Sequence, residues 1–247
     1  MNTVDQKEIQ NFSKDSSHWW DENGPFKPLH HLNPTRLSYI KQQICDHFDR
    51  DVEALDSYKD LDMIDIGCGG GLVCEPLARL GGNVSGIDAD ENAINVATEH
   101  AVKSDLDINY EAASSEKLLK KEKRYDVVLA LEVIEHVSDP SLFVKSVLEL
   151  CKPDGLVIFS TLNRTPKSYA LGIVAAEYIL RWVPAGTHDW KKFVKPSELN
   201  RHIVNAGGKT KNICGLVYSP LNNKYALKPH DTGVNYFMSV LPQVGRL

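Results

Sequence analysis

From Leu61 onward, short apolar runs and amphipathic stretches succeed one another with little between them. LDMIDI (61–66) is a compact apolar run that predicts a buried strand. GLVCEPLARLGG (71–82) spaces its apolar residues as a helix and stops at the Gly81–Gly82 pair. NVSGID (83–88) predicts a second strand, and Asp90 stands where a cap is needed for the helix ENAINVATEHAVK (91–103). DINYEAA (107–113) and YDVVLAL (125–131) predict two more strands, joined by a lysine-rich connection. Asp139 and Pro140 carry the start signals of the helix SLFVKSVLEL (141–150), and a Pro153–Asp154–Gly155 turn leads into the strand LVIFST (156–161). The tail adds a helix, PSELNRHIVNAGG (196–208), and two strands, TKNICGLVYS (210–219) and NKYALKP (223–229), suited to pair antiparallel at a sheet edge. Strands alternating with helices in this way predict parallel β-α-β units in an α/β, doubly wound sheet.

The ends of this pattern behave differently. The first fifty residues are helical in character but are interrupted by HWWDENGPFKPLHHLNPTR (18–36), where Gly24, Pro25, Pro28 and Pro34 argue against a long helix. Tyr169 to Val183, YALGIVAAEYILRWV, is apolar almost throughout, broken by the i,i+4 pair Glu177 and Arg181 and flanked by Arg164, Lys167, Lys191 and Lys192. It is too short to span a bilayer. It suits either an interfacial helix on an anionic membrane or a buried lid helix.

Composition narrows the class. The 247 residues are 42% hydrophobic and 25% charged, as in ordinary soluble globular proteins, and allow one large domain. The net charge of −5 provides no general field for nucleic acid. Five cysteines (Cys45, Cys68, Cys74, Cys151 and Cys214) include no C-x-x-C pair, which points to free thiols in a reducing compartment. The polar start MNTVDQKEIQNFSKD has no signal-peptide core, so a cytoplasmic location is expected.

The candidate chemistry begins at IDIGCGGG (64–71). Glycine packed this densely is costly to order and marks a backbone that something approaches closely. A strand, a glycine turn and a helix together form a nucleotide-type site. The dinucleotide pattern fails because Leu72 replaces its third glycine, and no Gly-Lys-Ser/Thr follows for a phosphate loop. Asp65 closes the first strand, and Asp88 ends the second about twenty residues on, where an acid holds ribose hydroxyls. Glu132, Glu135 and His136 follow the fourth strand, at the sheet's ligand edge. Two carboxylates and an imidazole suit Mg2+ or direct general-base work, and they equally suit ordering of the loop.

The pattern D-x-G-x-G-x-G with an acid ending the next strand resembles the S-adenosylmethionine motif of the seven-stranded, Rossmann-like methyltransferases. The segments HWWDENGPFKPLHHLNPTR and FSTLNRTPKSYALGIVAAEYILRWVPAGTHDWKKFVKP (159–196), taken with the glycine run, resemble the ubiquinone-biosynthesis O-methyltransferases over nearly the whole chain. The resemblance implies a single methyltransferase domain over 1–247. Its parts would be an N-terminal helical cap (1–55), a cofactor-binding core (60–161), a helical lid insertion (164–192) and the C-terminal part of the sheet (196–230). It implies S-adenosylmethionine bound by Arg36, Asp65, Gly67, Gly69, Asp88 and Leu131, with Arg36 on the methionine carboxylate and Leu131 by the adenine. It also implies two O-methylations, of 2-polyprenyl-6-hydroxyphenol and of 3-demethylubiquinol. Glu132, Glu135 and His136 would be catalytic or hold Mg2+, with His136 or His188 the base if no metal serves. The partners implied are this polyprenylated phenol or quinol, a membrane surface reached through 169–183 as a peripheral protein, and other ubiquinone-biosynthesis enzymes, with no nucleic acid. Open beside this stand a methyltransferase for another phenol, nucleic acid or protein, and a non-catalytic cofactor-binding scaffold.

Overall fold

The computed structural model describes residues 3–5, 8–9, 13–171 and 189–242. Eight strands among them form one sheet: β1 (Asp62–Ile66), β2 (Asn83–Asp88), β3 (Asn109–Ala112), β4 (Tyr125–Leu131), β5 (Cys151–Leu162), β6 (Lys209–Ser219), β7 (Lys224–Lys228) and β8 (Asn235–Leu241). Their order is β3-β2-β1-β4-β5-β8-β6-β7, with β1 to β5 mutually parallel. Strand order reverses between β1 and β4, and ligands of such sheets bind beyond the carboxyl ends there.

The sheet has one strand more than the resemblance implied. The β6–β7 antiparallel edge pair is present as expected. A further strand, β8, enters between β5 and β6 and runs antiparallel to both, beyond the expected limit at residue 230. Its sequence NYFMSVL is bracketed by Gly233 and Pro242, a signal that period-2 reading alone passes over because the strand is buried on both faces. The expected turn at Pro153–Asp154–Gly155 is instead an irregularity within β5, where the pairing jumps from Tyr125↔Cys151 to Val127↔Leu156.

The expectation against a long N-terminal helix is corrected. Helix α1 runs from Lys27 to Phe48, with Pro28 in its first turn and Pro34 inside it. An interior proline costs about 3 kcal/mol. Burial of Leu32, Tyr39, Ile40 and Ile44 outweighs that at roughly 1.5–3 kcal/mol for each large apolar side chain. Tyr39 also stacks on Phe237 of β8, ring centroids 4.6 Å apart.

Strand alternation sorts the core onto two faces. Val128 and Ala130 of β4 pack on the side of α4 (Pro140–Leu150) and α5 (Pro196–Asn205), where Phe143, Val147, Leu199 and Ile203 are buried. Val127, Leu129 and Leu131 face α1 and α2 (Cys74–Arg79). Helix α3 (Glu91–Lys103) is capped by Asp90, whose side chain accepts from the Asn92 amide. All five cysteines are buried free thiols. The expected lid insertion is described only at its ends, a helical turn at Pro166–Ser168 and another at Trp190–Lys192. Residues 172–188, which include most of the apolar stretch and His188, lie outside the described residues.

Candidate active site

The glycine turn leaves β1 with Gly67 and Gly69 in left-handed conformations, φ 75° and 51°. The Gly67 and Cys68 amides donate to the Ile87 carbonyl at 2.7 and 3.0 Å, and the Gly69 amide donates to Asp88 Oδ2 at 2.9 Å. A Cβ at Gly67 would lie 2.3 Å from Val133 Cγ2, and one at Gly69 would lie 2.4 Å from Trp19 Cζ2. The chain itself therefore presses on the turn. Trp19 lies over it, stacked on Phe26 at 3.8 Å. Trp20 donates Nε1–H to the Gly70 carbonyl at 2.9 Å and stacks on His100. His100 in turn bonds Glu75 Oε1 at 2.5 Å. Both tryptophans belong to the segment that carries the resemblance, and their neighbours in sequence do not place them over the turn. Two adjacent large aromatics before a proline-rich segment were the available signal.

A cavity of about 1030 Å³ opens above the turn and is lined by Arg36, Asp65, Gly67, Gly69, Asp88 and Leu131, together with Glu132, Glu135 and His136. These nine sequence-predicted residues share one wall system, while His188 lies outside the described residues. Arg36, from α1, is buried, and its Nε and Nη2 have no hydrogen-bond partner. Burial lowers its pKa, opposed by the charges of Glu132 and Asp65. Asp65 is also buried, with Oδ1 unpartnered, and burial outweighs the attraction of Arg36 to push its carboxyl up to about 7. Asp88 accepts from the Gly69 and Asp90 amides, while burial raises its pKa. These orphaned groups fit an amino-acid zwitterion: a guanidinium for its carboxylate and a buried carboxyl for its ammonium.

At the other end, Glu132 adopts a left-handed φ of 57° and takes Ser160 Oγ–H at 2.6 Å. Asn235 Nδ2 donates to both its oxygens at 3.2 Å. Glu135 is buried and accepts from Thr161 Oγ1 at 2.9 Å. Burial and the nearby Glu132 push its carboxyl up to about 7. His136 Nδ1 pairs with Glu8 Oε2 at 3.1 Å, and Lys192 Nζ reaches Glu8 Oε1 at 2.7 Å. Burial would depress the His136 pKa, but Glu8 and Glu135 outweigh it and raise the value. The same imidazole holds Glu8 down at about 2. Glu8 was not anticipated, since nothing local to it signals a partner so distant in sequence.

Among the described residues no group of three or more His, Cys, Asp or Glu side chains could hold a metal ion. Glu132, Glu135 and His136 are neighbours, but each is directed to a different protein partner, Ser160, Thr161 and Glu8.

Residues 36–207 match the family described as "Methyltransferase domain". The chain is 49% identical over 238 residues to the ubiquinone biosynthesis O-methyltransferase of Bartonella bacilliformis, covering 96% of each chain. It is 47% identical over 236 residues to that of Brucella anthropi, covering 96% of this chain and 95% of the other. The chain belongs to the ubiquinone biosynthesis O-methyltransferase family. Magnesium protoporphyrin IX methyltransferase from Synechocystis PCC 6803 with bound SAH shares the fold, with TM-score 0.64 over 96% of this chain and 97% of that one at 16% identity. S-adenosylmethionine is thus the methyl donor, and the cavity's two ends are candidates for donor and acceptor.

Proposed function

We propose that the chain methylates a phenolic hydroxyl of polyprenylated ubiquinone precursors, in both 2-polyprenyl-6-hydroxyphenol and 3-demethylubiquinol. The observation that carries this reading is the unpartnered Arg36 guanidinium opening on the same cavity as the glycine turn and His136. Arg36 would bind the methionine carboxylate of S-adenosylmethionine, Asp65 its ammonium, Asp88 the ribose, and the Gly67–Gly69 backbone the chain between, with Leu131 beside the adenine. Bound there, the cofactor supplies an electrophilic methyl carbon on sulfur.

The acceptor needs help, because a phenol ionises near pH 10. His136 would take the phenolic proton, leaving the ring oxygen free to accept the methyl group that the cofactor held by Arg36, Asp65 and Asp88 would supply. Glu8 strengthens this base by stabilising the imidazolium, bringing its pKa closer to that of the phenol. Glu135 and Glu132 act on the imidazole in the same direction as Glu8. Leu29, Leu216 and Tyr225 give the cavity an apolar extension suited to the prenyl tail.

Incubating the protein with labelled S-adenosylmethionine and a short-chain demethylubiquinol tests the reading, with transfer of label to the ring oxygen expected. A chelator arm bears on Mg2+: loss of turnover that magnesium restores would show that Glu132, Glu135 and His136 regroup around a cation. We also propose peripheral contact with an anionic membrane through 169–183. Tyr169 and Leu171 are about half exposed, at 49% and 48%, and Leu171 lines the cavity. No helix among the described residues is long and apolar enough to cross a membrane. Sedimentation with anionic but not neutral liposomes is expected. Contacts with other enzymes of ubiquinone biosynthesis fit the same surface location.

A further inference from the structure

β8 runs antiparallel to its neighbours, so its first residue lies at the carboxyl ends of the parallel strands, on the ligand side. That residue is Asn235. Its cross-strand partners are Leu162 of β5 and Leu216 of β6, and all three line the cavity. The amide is thus the one polar position in a cross-strand row of leucines. Its orientation is fixed by chemistry: Nδ2 lies 3.2 Å from both oxygens of Glu132, and a carboxylate only accepts. Oδ1 must then face away from Glu132. It is buried and accepts no hydrogen bond. Buried acceptors are nearly always paired, and an unpaired one beside a ligand cavity implies a donor on the ligand.

We propose that Asn235 is a substrate-binding residue whose Oδ1 accepts a hydrogen bond from the ring hydroxyl next to the one being methylated. This rests on the phenolic reading above. The reacting hydroxyl itself is a poor candidate, because an amide oxygen cannot take its proton and would only oppose ionisation. The vicinal hydroxyl has no such conflict. Held on Asn235 between Leu162 and Leu216, it would turn the reacting oxygen toward His136 and the methyl group. The site would then require two adjacent ring oxygens, and Asn235 would be the residue that checks for the second.

The test compares a short-chain catechol with the monophenol bearing the same tail. Both ionise near pH 10, so their kcat/KM ratio reports recognition rather than acidity. Sites that hydrogen-bond a hydroxyl reject analogues lacking it, and the wild type should favour the catechol by at least about tenfold. Asn235→Ala should bring the ratio close to one while calorimetry shows unchanged S-adenosylmethionine affinity. Ser160→Ala, which removes the other donor to Glu132, should slow both substrates alike and leave the ratio intact. A preserved ratio in Asn235→Ala would overturn the assignment and leave the residue as a support for Glu132. Equal turnover of both rings by the wild type would overturn it without any variant, should Asn235→Ala fail to fold. Methylation of neither ring would instead overturn the phenolic reading itself, and this assignment with it.

Discussion

The two ends of the cavity are built by different means. At the cofactor end, Asp88 is fixed by amides 19 and 2 residues away, and the glycine turn closes on the neighbouring strand. At the acceptor end, Glu132 is held from 28 and 103 residues away, and His136 from 128. The first is a local backbone device to which the N-terminal part of the chain adds Arg36, Trp19 and Trp20. The second is an assembly of side chains that only the finished fold brings together. Such an assembly is where substitutions should change chemistry without touching the cofactor.

The largest effect expected is on that acceptor end. His136→Gln should lower kcat by about 10²–10⁴, the usual contribution of a general base, with S-adenosylmethionine affinity unchanged by calorimetry. A parallel loss of affinity would break the division between the two ends. Next comes Arg36→Met. Losing a buried charged partner should weaken S-adenosylmethionine binding by roughly 2–5 kcal/mol. Unchanged affinity would remove Arg36 from the cofactor site.

A smaller effect is expected from Glu8→Gln. Glu8 raises the His136 pKa, so its loss should move the acid limb of the kcat/KM profile to lower pH, and a limb that stays put would separate Glu8 from the base. The pair also ties the N-terminal segment down. Glu8, held at about 2, contributes stability above its ordinary value of 4.5 and loses it as pH falls toward 2. His136, raised above 6.5, contributes below that value and loses it as pH climbs through the folded value. The tie is therefore fullest between about 4.5 and 6.5.

The smallest effect joins both ends. Asp65 and Glu135 both ionise near 7 in the fold, against ordinary values of 3.8 and 4.5. The folded state keeps protons there that the unfolded chain releases, so stability should fall as pH rises from about 4 to about 7. The unliganded protein should melt a few degrees lower at pH 8 than at pH 5.5 by calorimetry. S-adenosylmethionine should narrow that gap if its ammonium sits on Asp65.

What could be read along the chain was what nearest neighbours decide. The Asp90 and Asp139 caps, the strands β1 to β7 and the glycine turn all depend on residues a few positions apart, and all are present. Asp65, Gly67, Gly69 and Asp88 followed, because a strand end and its turn place them with no help from the rest of the protein. α1 escaped this reading because the burial that outweighs Pro34 is supplied by strands and a helix far along the chain. β8 escaped it because a strand covered on both faces shows no alternation. The partners of the acceptor site escaped it for a deeper reason. Glu8 and Asn235 there, like Trp19 over the glycine turn, acquire their roles only when the N-terminal segment and a reversed strand close around the carboxyl ends of β1, β4 and β5. No local propensity encodes a contact between residues 8 and 136. The residue types of the chemistry were legible in the sequence, and their hydrogen-bonding partners were decided by the topology.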